Sequence, residues 1–147
     1  MIYQEYVGNL FNYNNYTYVQ CISADFKMGA GISLEFNKRF NIKNDLIDKY
    51  NNALKLWEQQ LNKGMCVYCN NVLNLITKKY YYHKPTYNNM YNALIQMRNL
   101  ILQKNIDKIA MPTIGCGLDK LEWNKIKAML FNIYRDVNIE IIVIKTS

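Results

Sequence analysis

The chain has 147 residues, half of them apolar and 20% charged, which is the length of one domain with enough apolar material for a buried core. This composition excludes a disordered chain, and the lack of any run of about 18 apolar residues excludes a transmembrane helix. The net charge is +7, but 15 of the 18 basic residues are Lys and they accompany 21 Asn and 13 Tyr. All three residues have A/T-rich codons, so bulk charge is weak ground for a nucleic-acid function.

Met1-Ile2-Tyr3-Gln4-Glu5 has no basic stretch followed by an apolar core, and no signal peptide is expected. Tyr16 to Ile22 is β-branched and aromatic and reads as a strand ending at Ser23-Ala24-Asp25. Lys27-Met28-Gly29-Ala30-Gly31 is a turn, and Ile32 to Phe40 a helix. Asn44-Asp45 starts a second helix, with Leu46, Ile47, Tyr50, Leu54 and Trp57 at helical spacing, which Lys63-Gly64 ends. Met65 to Cys69 and Val72 to Thr77 read as a hairpin, because the intervening Asn70-Asn71 tolerates positive φ. His83-Lys84-Pro85-Thr86 opens a helix whose apolar face is Met90, Ala93, Leu94, Met97, Leu100 and Ile101. Lys108 to Met111 is a short strand running into a second glycine loop, Pro112 to Gly117. Leu121 to Tyr134 is a helix, and Glu140 to Ile144 is a strand apolar enough to be central.

Alternating strands and helices imply a largely parallel sheet covered on both faces, an α/β sandwich. Ligands of such folds bind at the carboxyl ends of the strands, where both glycine loops fall. A strand, a glycine loop and a helix in succession point backbone amides at a phosphate, so two such loops suggest a diphosphate. Charge placement agrees with this. From Gln59 to Ile106 there is no Asp or Glu, while Lys63, Lys78, Lys79, Lys84, Arg98 and Lys104 all lie there. The stretch reads either as a solvated basic face or as a positive field for an anionic ligand.

At three places the sequence resembles a known family. Val19 to Ile32 resembles the ADP-ribose loop of macrodomains. Leu75-Ile-Thr-Lys78-Lys-Tyr-Tyr-Tyr-His83-Lys-Pro-Thr-Tyr87 and Met111-Pro-Thr-Ile-Gly115-Cys-Gly117-Leu-Asp119 resemble the ALC-like branch, which includes terminal ADP-ribose protein glycohydrolases and O-acyl-ADP-ribose deacylases. The resemblance runs from about Glu5 to Lys145. It implies one macrodomain over 1–147: a three-layer α/β/α sandwich on a mixed, mostly parallel six-stranded sheet. It implies metal-independent removal of ADP-ribose from acidic side chains of proteins or from O-acyl-ADP-ribose, with no cofactor. It further implies Lys78 as nucleophile, Asp119 as its assistant and Ser23 beside the distal ribose. Ligand contacts are expected from Gly29, Ala30 and Gly31 and from Thr113, Ile114, Gly115, Cys116, Gly117 and Leu118. Gly8-Asn9-Leu10 stands where relatives carry Gly-Asp-Leu near the adenine amino group. Asn9 offers an acceptor without charge, and Asn9 and Leu10 are expected at the adenine. Gln20 stands where relatives often have His.

The residues support that chemistry in part. An unprotonated lysine amine can attack the anomeric carbon of the distal ribose and form a covalent adduct. A free lysine titrates near ~10.4, so the amine needs desolvation or positive neighbours, such as Lys79 and Lys84, to be neutral. Asp119 favours the ammonium but can carry protons while the adduct opens and hydrolyses. From spacing alone, Lys78 and Asp119 read as an ordinary surface ion pair. Only the surrounding motifs make them catalytic.

Other candidates read as structural. Cys66 and Cys69 lie in a strand and read as core thiols, and Cys116 as a small residue in a tight loop. His83 is the single histidine, so no His-based metal site or Ser-His-Asp triad is expected. Tyr80 to Tyr82 read as a base-stacking surface or as partly buried rings. Competing functions are a DNA ADP-ribosyl hydrolase like the antitoxin partner of DarT-type toxins, an ADP-ribose binding module, and an ADP-ribose 1″-phosphate phosphatase. The protein is expected to be a cytoplasmic monomer that does not associate with membranes.

Overall fold

The computed structural model describes residues 1–146. In chain order they form β1 (Ile2–Val7), a short 3-10 turn (Leu10–Asn12), β2 (Thr17–Ser23), α1 (Gly31–Phe40), α2 (Ile42–Tyr50), α3 (Leu54–Gln59), β3 (Met65–Cys69), β4 (Val72–Lys78), α4 (Tyr87–Lys104), β5 (Lys108–Met111), α5 (Trp123–Tyr134) and β6 (Glu140–Lys145). One six-stranded sheet has the order β1-β6-β5-β2-β4-β3. Every pairing is parallel except β3 with β4.

Period-2 alternation divides the strand residues between two cores. Val19, Leu73, Leu75, Ile109, Met111, Ile141 and Val143 pack with Met90, Leu94 and Met97 of α4 and Ile126, Leu130 and Ile133 of α5. Tyr18, Ile22, Val72, Ile76, Ile142 and Ile144 pack on the other face with Phe36 of α1, Ile42 and Leu46 of α2 and Trp57 of α3. Each fully buried Leu, Ile or Met contributes roughly 1.5–3 kcal/mol by transfer from water. The buried Tyr134 hydroxyl donates to Leu94 O at 2.6 Å and joins α5 to α4. The result is the expected three-layer sandwich, with β6 inside the sheet.

The Asn70-Asn71 turn is as expected, both residues having positive φ (53° and 60°). Two expectations need correction. The helix read from Asn44 to Lys63 is two helices. Asn51 takes φ 66° and breaks the first, and the Asn52 side chain accepts from Leu54 N at 3.1 Å to begin the second. The sequence reading also assigned no strand before Tyr16, yet β1 pairs with β6 from Ile2↔Glu140 to Val7↔Lys145. β1 is an edge strand with Ile2 and Val7 exposed, so it lacks the apolar run that marks the inner strands.

Gly64 is required sterically. It has φ 97°, and a Cβ there would lie 2.2 Å from Asn89 O in the first turn of α4. α4 is capped by Thr86, whose hydroxyl accepts from Asn89 N at 3.0 Å.

Candidate active site

The carboxyl ends of β2, β4 and β5 open into a cleft of about 710 Å³, within the usual ~300–1,000 Å³ of small-molecule sites. Ser23 ends β2 and Lys78 ends β4. The two strands pair in regular register as far as Ile22↔Ile76, and then Ser23 pairs with Lys78. Thr77 is therefore an extra residue on β4, a bulge of the kind that re-aims a side chain beside a site. Its hydroxyl is buried without a hydrogen-bond partner.

Lys78 Nζ lies 2.7 Å from Asp119 Oδ1, and each side chain is only 14% exposed. The two residues are 41 positions apart in sequence, so the fold brings them together. The two basic neighbours have partners of their own. Lys79 Nζ pairs with Glu58 Oε1 at 3.4 Å, and Lys84 Nζ donates to Leu118 O at 2.6 Å, just before Asp119.

The first glycine loop reaches the cleft through Gly29, Ala30 and Gly31. α1 begins at Gly31 without a side-chain cap, and its first turn lines the cleft at Ile32 and Ser33, leaving a helix N-terminus available to an anion. Phe26 and Met28 hold this loop in place. Both are buried and both adopt positive φ (55° and 47°), a strained conformation that the core around them maintains. Asp25 joins the loop to the β4–α4 segment. It accepts from the Ser23 hydroxyl, from Lys27 N at 3.1 Å and from Tyr81 N at 3.0 Å.

The second loop is closed by Leu121 N donating to Gly115 O at 2.8 Å. Gly115 has φ 74°, and a Cβ there would meet Met90 Cε at 2.9 Å. Leu118 Cδ1 comes within 3.7 Å of where a Cβ on Gly31 would sit, so the two glycine loops nearly meet across the cleft.

Among the residues expected at the site, Ser23, Gly29, Ala30, Gly31, Lys78, Thr113, Ile114, Gly115, Gly117, Leu118 and Asp119 all line this cleft. Asn9, Leu10 and Cys116 do not. The Asn9 side chain instead caps the 3-10 turn, accepting from Phe11 N at 3.0 Å, and Leu10 is buried in the core beneath α1. Cys116 Sγ turns to Ile114 O at 3.4 Å, and burial pushes its pKa up to about 11. Cys66 and Cys69 are buried free thiols, and burial raises both pKa values. Among the described residues no three His, Cys, Asp or Glu side chains cluster as a metal site.

Tyr81, Tyr82 and Lys84, which were not among the expected ligand contacts, also line the cleft. A signal for Lys84 was present in the acid-free stretch. The tyrosine run did not single out Tyr81, whose place depends on the distant Asp25.

Residues 19–130 match the Macro domain family. The chain is a macrodomain. It is 38% identical over 125 residues to human ADP-ribose glycohydrolase OARD1, covering 84% of this macrodomain and 77% of that protein. It is 24% identical over 136 residues to the DNA ADP-ribosyl glycohydrolase of Mycobacterium tuberculosis, covering 88% of the macrodomain and 38% of that protein. Among solved structures, the macrodomain of Mycobacterium tuberculosis DarG superposes with a TM-score of 0.76 at 21% identity, covering 96% of this chain and 97% of that one. Thermosipho africanus DarTG in complex with ADP-ribose gives a TM-score of 0.76 at 16% identity, covering 99% of this chain and 42% of that one. No helix among the described residues is long and apolar enough to cross a membrane.

Proposed function

We propose that this macrodomain is an ADP-ribosyl hydrolase that binds ADP-ribose in the cleft and releases it from acidic side chains of proteins and from O-acyl-ADP-ribose. One observation carries the reading: the 2.7 Å Lys78–Asp119 contact, mostly buried, between two glycine loops at the strand ends. Binding alone requires neither side chain. The helix N-terminus at Gly31 and the second loop suit the diphosphate. Ser23 suits the distal ribose.

In the first step the Lys78 amine attacks C1″ of the distal ribose. For an acyl group carried on O1″, the C1″–Nζ bond forms, the C1″–O bond to the acyl group breaks, and the carboxylate leaves. Asp119 takes the proton released from Nζ and returns it to the ring oxygen as the sugar opens to an iminium. Water then adds to C1″ and the C1″–Nζ bond breaks, freeing ADP-ribose and the amine. None of these steps calls for a metal or cofactor. We place the protein in the cytoplasm as a monomer; its four free thiols support the reducing compartment.

The test sets glutamate-linked ADP-ribosyl protein, O-acetyl-ADP-ribose, ADP-ribosylated DNA and ADP-ribose 1″-phosphate in parallel, with wild type and Lys78→Ala. Turnover of the first two by wild type alone is expected. A protein that binds free ADP-ribose and turns over nothing is a binding module. Preference for the DNA or the phosphate assigns a different substrate, and full activity of Lys78→Ala removes the covalent mechanism.

A further inference from the structure

We propose that a second concavity, beside the cleft, is a carrier subsite for an acidic segment flanking the modified side chain of the ADP-ribosylated protein. This proposal rests on the hydrolase reading above and specifies its carrier. The concavity measures about 390 Å³ and shares Lys78 and Lys84 with the cleft, so those two side chains form the partition between them. With C1″ at Lys78, whatever is attached to C1″ sits at this partition, and a macromolecular carrier must run over the surface beside it. An acyl group as small as acetyl has no use for the second concavity.

The lining chemistry indicates the occupant. Beyond the shared pair it is lined by Lys79, His83, Asn62 and Asn89 against the buried Trp57; no carboxylate lines it, and Asp119 and Glu58 meet its lysines from outside. Lysines attract anions, and the asparagine amides offer the paired donor and acceptor that a peptide backbone requires. A nucleic acid would need free aromatic faces as well. Tyr81 and Tyr82, 54% and 66% exposed, line the cleft and not this concavity, whose lining rings are His83 and the buried Trp57. Tyr80 stacks on Tyr82 at 5.6 Å, and Tyr81 and His83 meet Tyr82 edge-on at 5.4 and 4.7 Å. The observations therefore favour an acidic peptide.

Glu58 supports this assignment. Its carboxylate holds Lys79 Nζ at 3.4 Å while remaining 60% exposed. It occupies the place that a carboxylate of the carrier would take, in a contact weak enough to exchange.

The test compares two glutamate-linked ADP-ribosyl peptides, one with Glu and one with Gln at the flanking positions, each measured against O-acetyl-ADP-ribose. Wild type is expected to favour the acidic peptide by roughly threefold to fivefold in kcat/KM, the scale of one or two exposed ion pairs, and to lose the preference at high salt. Lys79→Gln should abolish the preference and Glu58→Gln should widen it. Equal turnover of the two peptides by wild type, or a preference that neither substitution moves, overturns the proposal. Stronger competition by a single-stranded DNA oligonucleotide than by an unmodified Glu-rich peptide of equal charge overturns it in favour of nucleic acid. If neither peptide nor O-acetyl-ADP-ribose turns over, the hydrolase reading fails. Fluorescence anisotropy of the unmodified Glu-rich peptide on wild type and on Lys79→Gln then decides the subsite separately: weaker binding to the variant supports it, and equal binding rejects it.

Discussion

Replacing Lys78 by Met leaves the Asp119 carboxylate mostly buried beside an apolar chain. Replacing Asp119 by Asn leaves an ammonium facing an amide. At 2.7 Å the two unit charges attract by about 6 kcal/mol with an effective dielectric constant near 20. Desolvation of both ions offsets most of that. A double-mutant cycle built from Lys78→Met, Asp119→Asn and the double variant should therefore return a coupling of about 1–3 kcal/mol. The assay is urea denaturation of the four proteins, with equal m-values required so that the midpoints report stability. The double variant should be more stable than the sum of the two single losses implies, because no charge is left stranded. A coupling below about 0.5 kcal/mol, the ordinary error of additivity, would show that the contact is solvated and does not define the site. Turnover separates structure from chemistry. All three variants should be inactive on O-acetyl-ADP-ribose, including the double variant with most of its stability restored.

Gly64→Ala should lower stability by about 3 kcal/mol or more, since it forces a methyl against Asn89 O at positive φ. Thermal melting should show it as a fall of roughly 6–12 °C, and a fall of under 2 °C would refute the steric account. The Glu5 carboxyl is held down to about 2, first by Lys145 and the Tyr3 hydroxyl, against an ordinary 4.5. Its stabilisation is complete above pH 4.5 and is lost as pH falls through 2, so the stability gap between wild type and Glu5→Gln should narrow over that window. A gap constant from pH 6 to 2 would exclude the ion pair as its source. Burial holds the Cys116 thiol up to about 11. Its alkylation by iodoacetamide, followed by peptide mass, should stay slow at pH 8 and rise towards pH 11. Rapid labelling at pH 7 would contradict that environment.

Elements whose cause is local were legible in the sequence. Asn70-Asn71 requires only two residues that accept positive φ, and the stripe from Met90 to Ile101 requires only helical periodicity. β1 was not legible because an edge strand half in solvent carries no strong pattern, and its partner β6 lies 138 residues away at Ile2↔Glu140. The break at Asn51 was hidden because Leu54 and Trp57 continue the helical spacing across it. At the site, the glycine loops and the Lys78–Asp119 pair were accessible through motifs. Asn9 and Leu10 lie outside the cleft lining: Asn9 caps the 3-10 turn and Leu10 is buried in the core. The place of Tyr81 in the cleft was not legible because its backbone is held by a carboxylate 56 residues away.

The extra residue at Thr77 gives the site a dependence on chain length as well as on residue type. Neighbours in paired strands point to the same side of a sheet, so the bulge places Lys78 next to Ser23 where regular pairing would place Thr77. Deleting Thr77 would remove the bulge and let Lys78 pair with Ser23 in regular register, losing the local bend and added twist with every side chain of the cleft still encoded. A substitution at Lys78 removes the amine, whereas deletion of Thr77 keeps the amine beside Ser23 and changes only the strand bend that aims it.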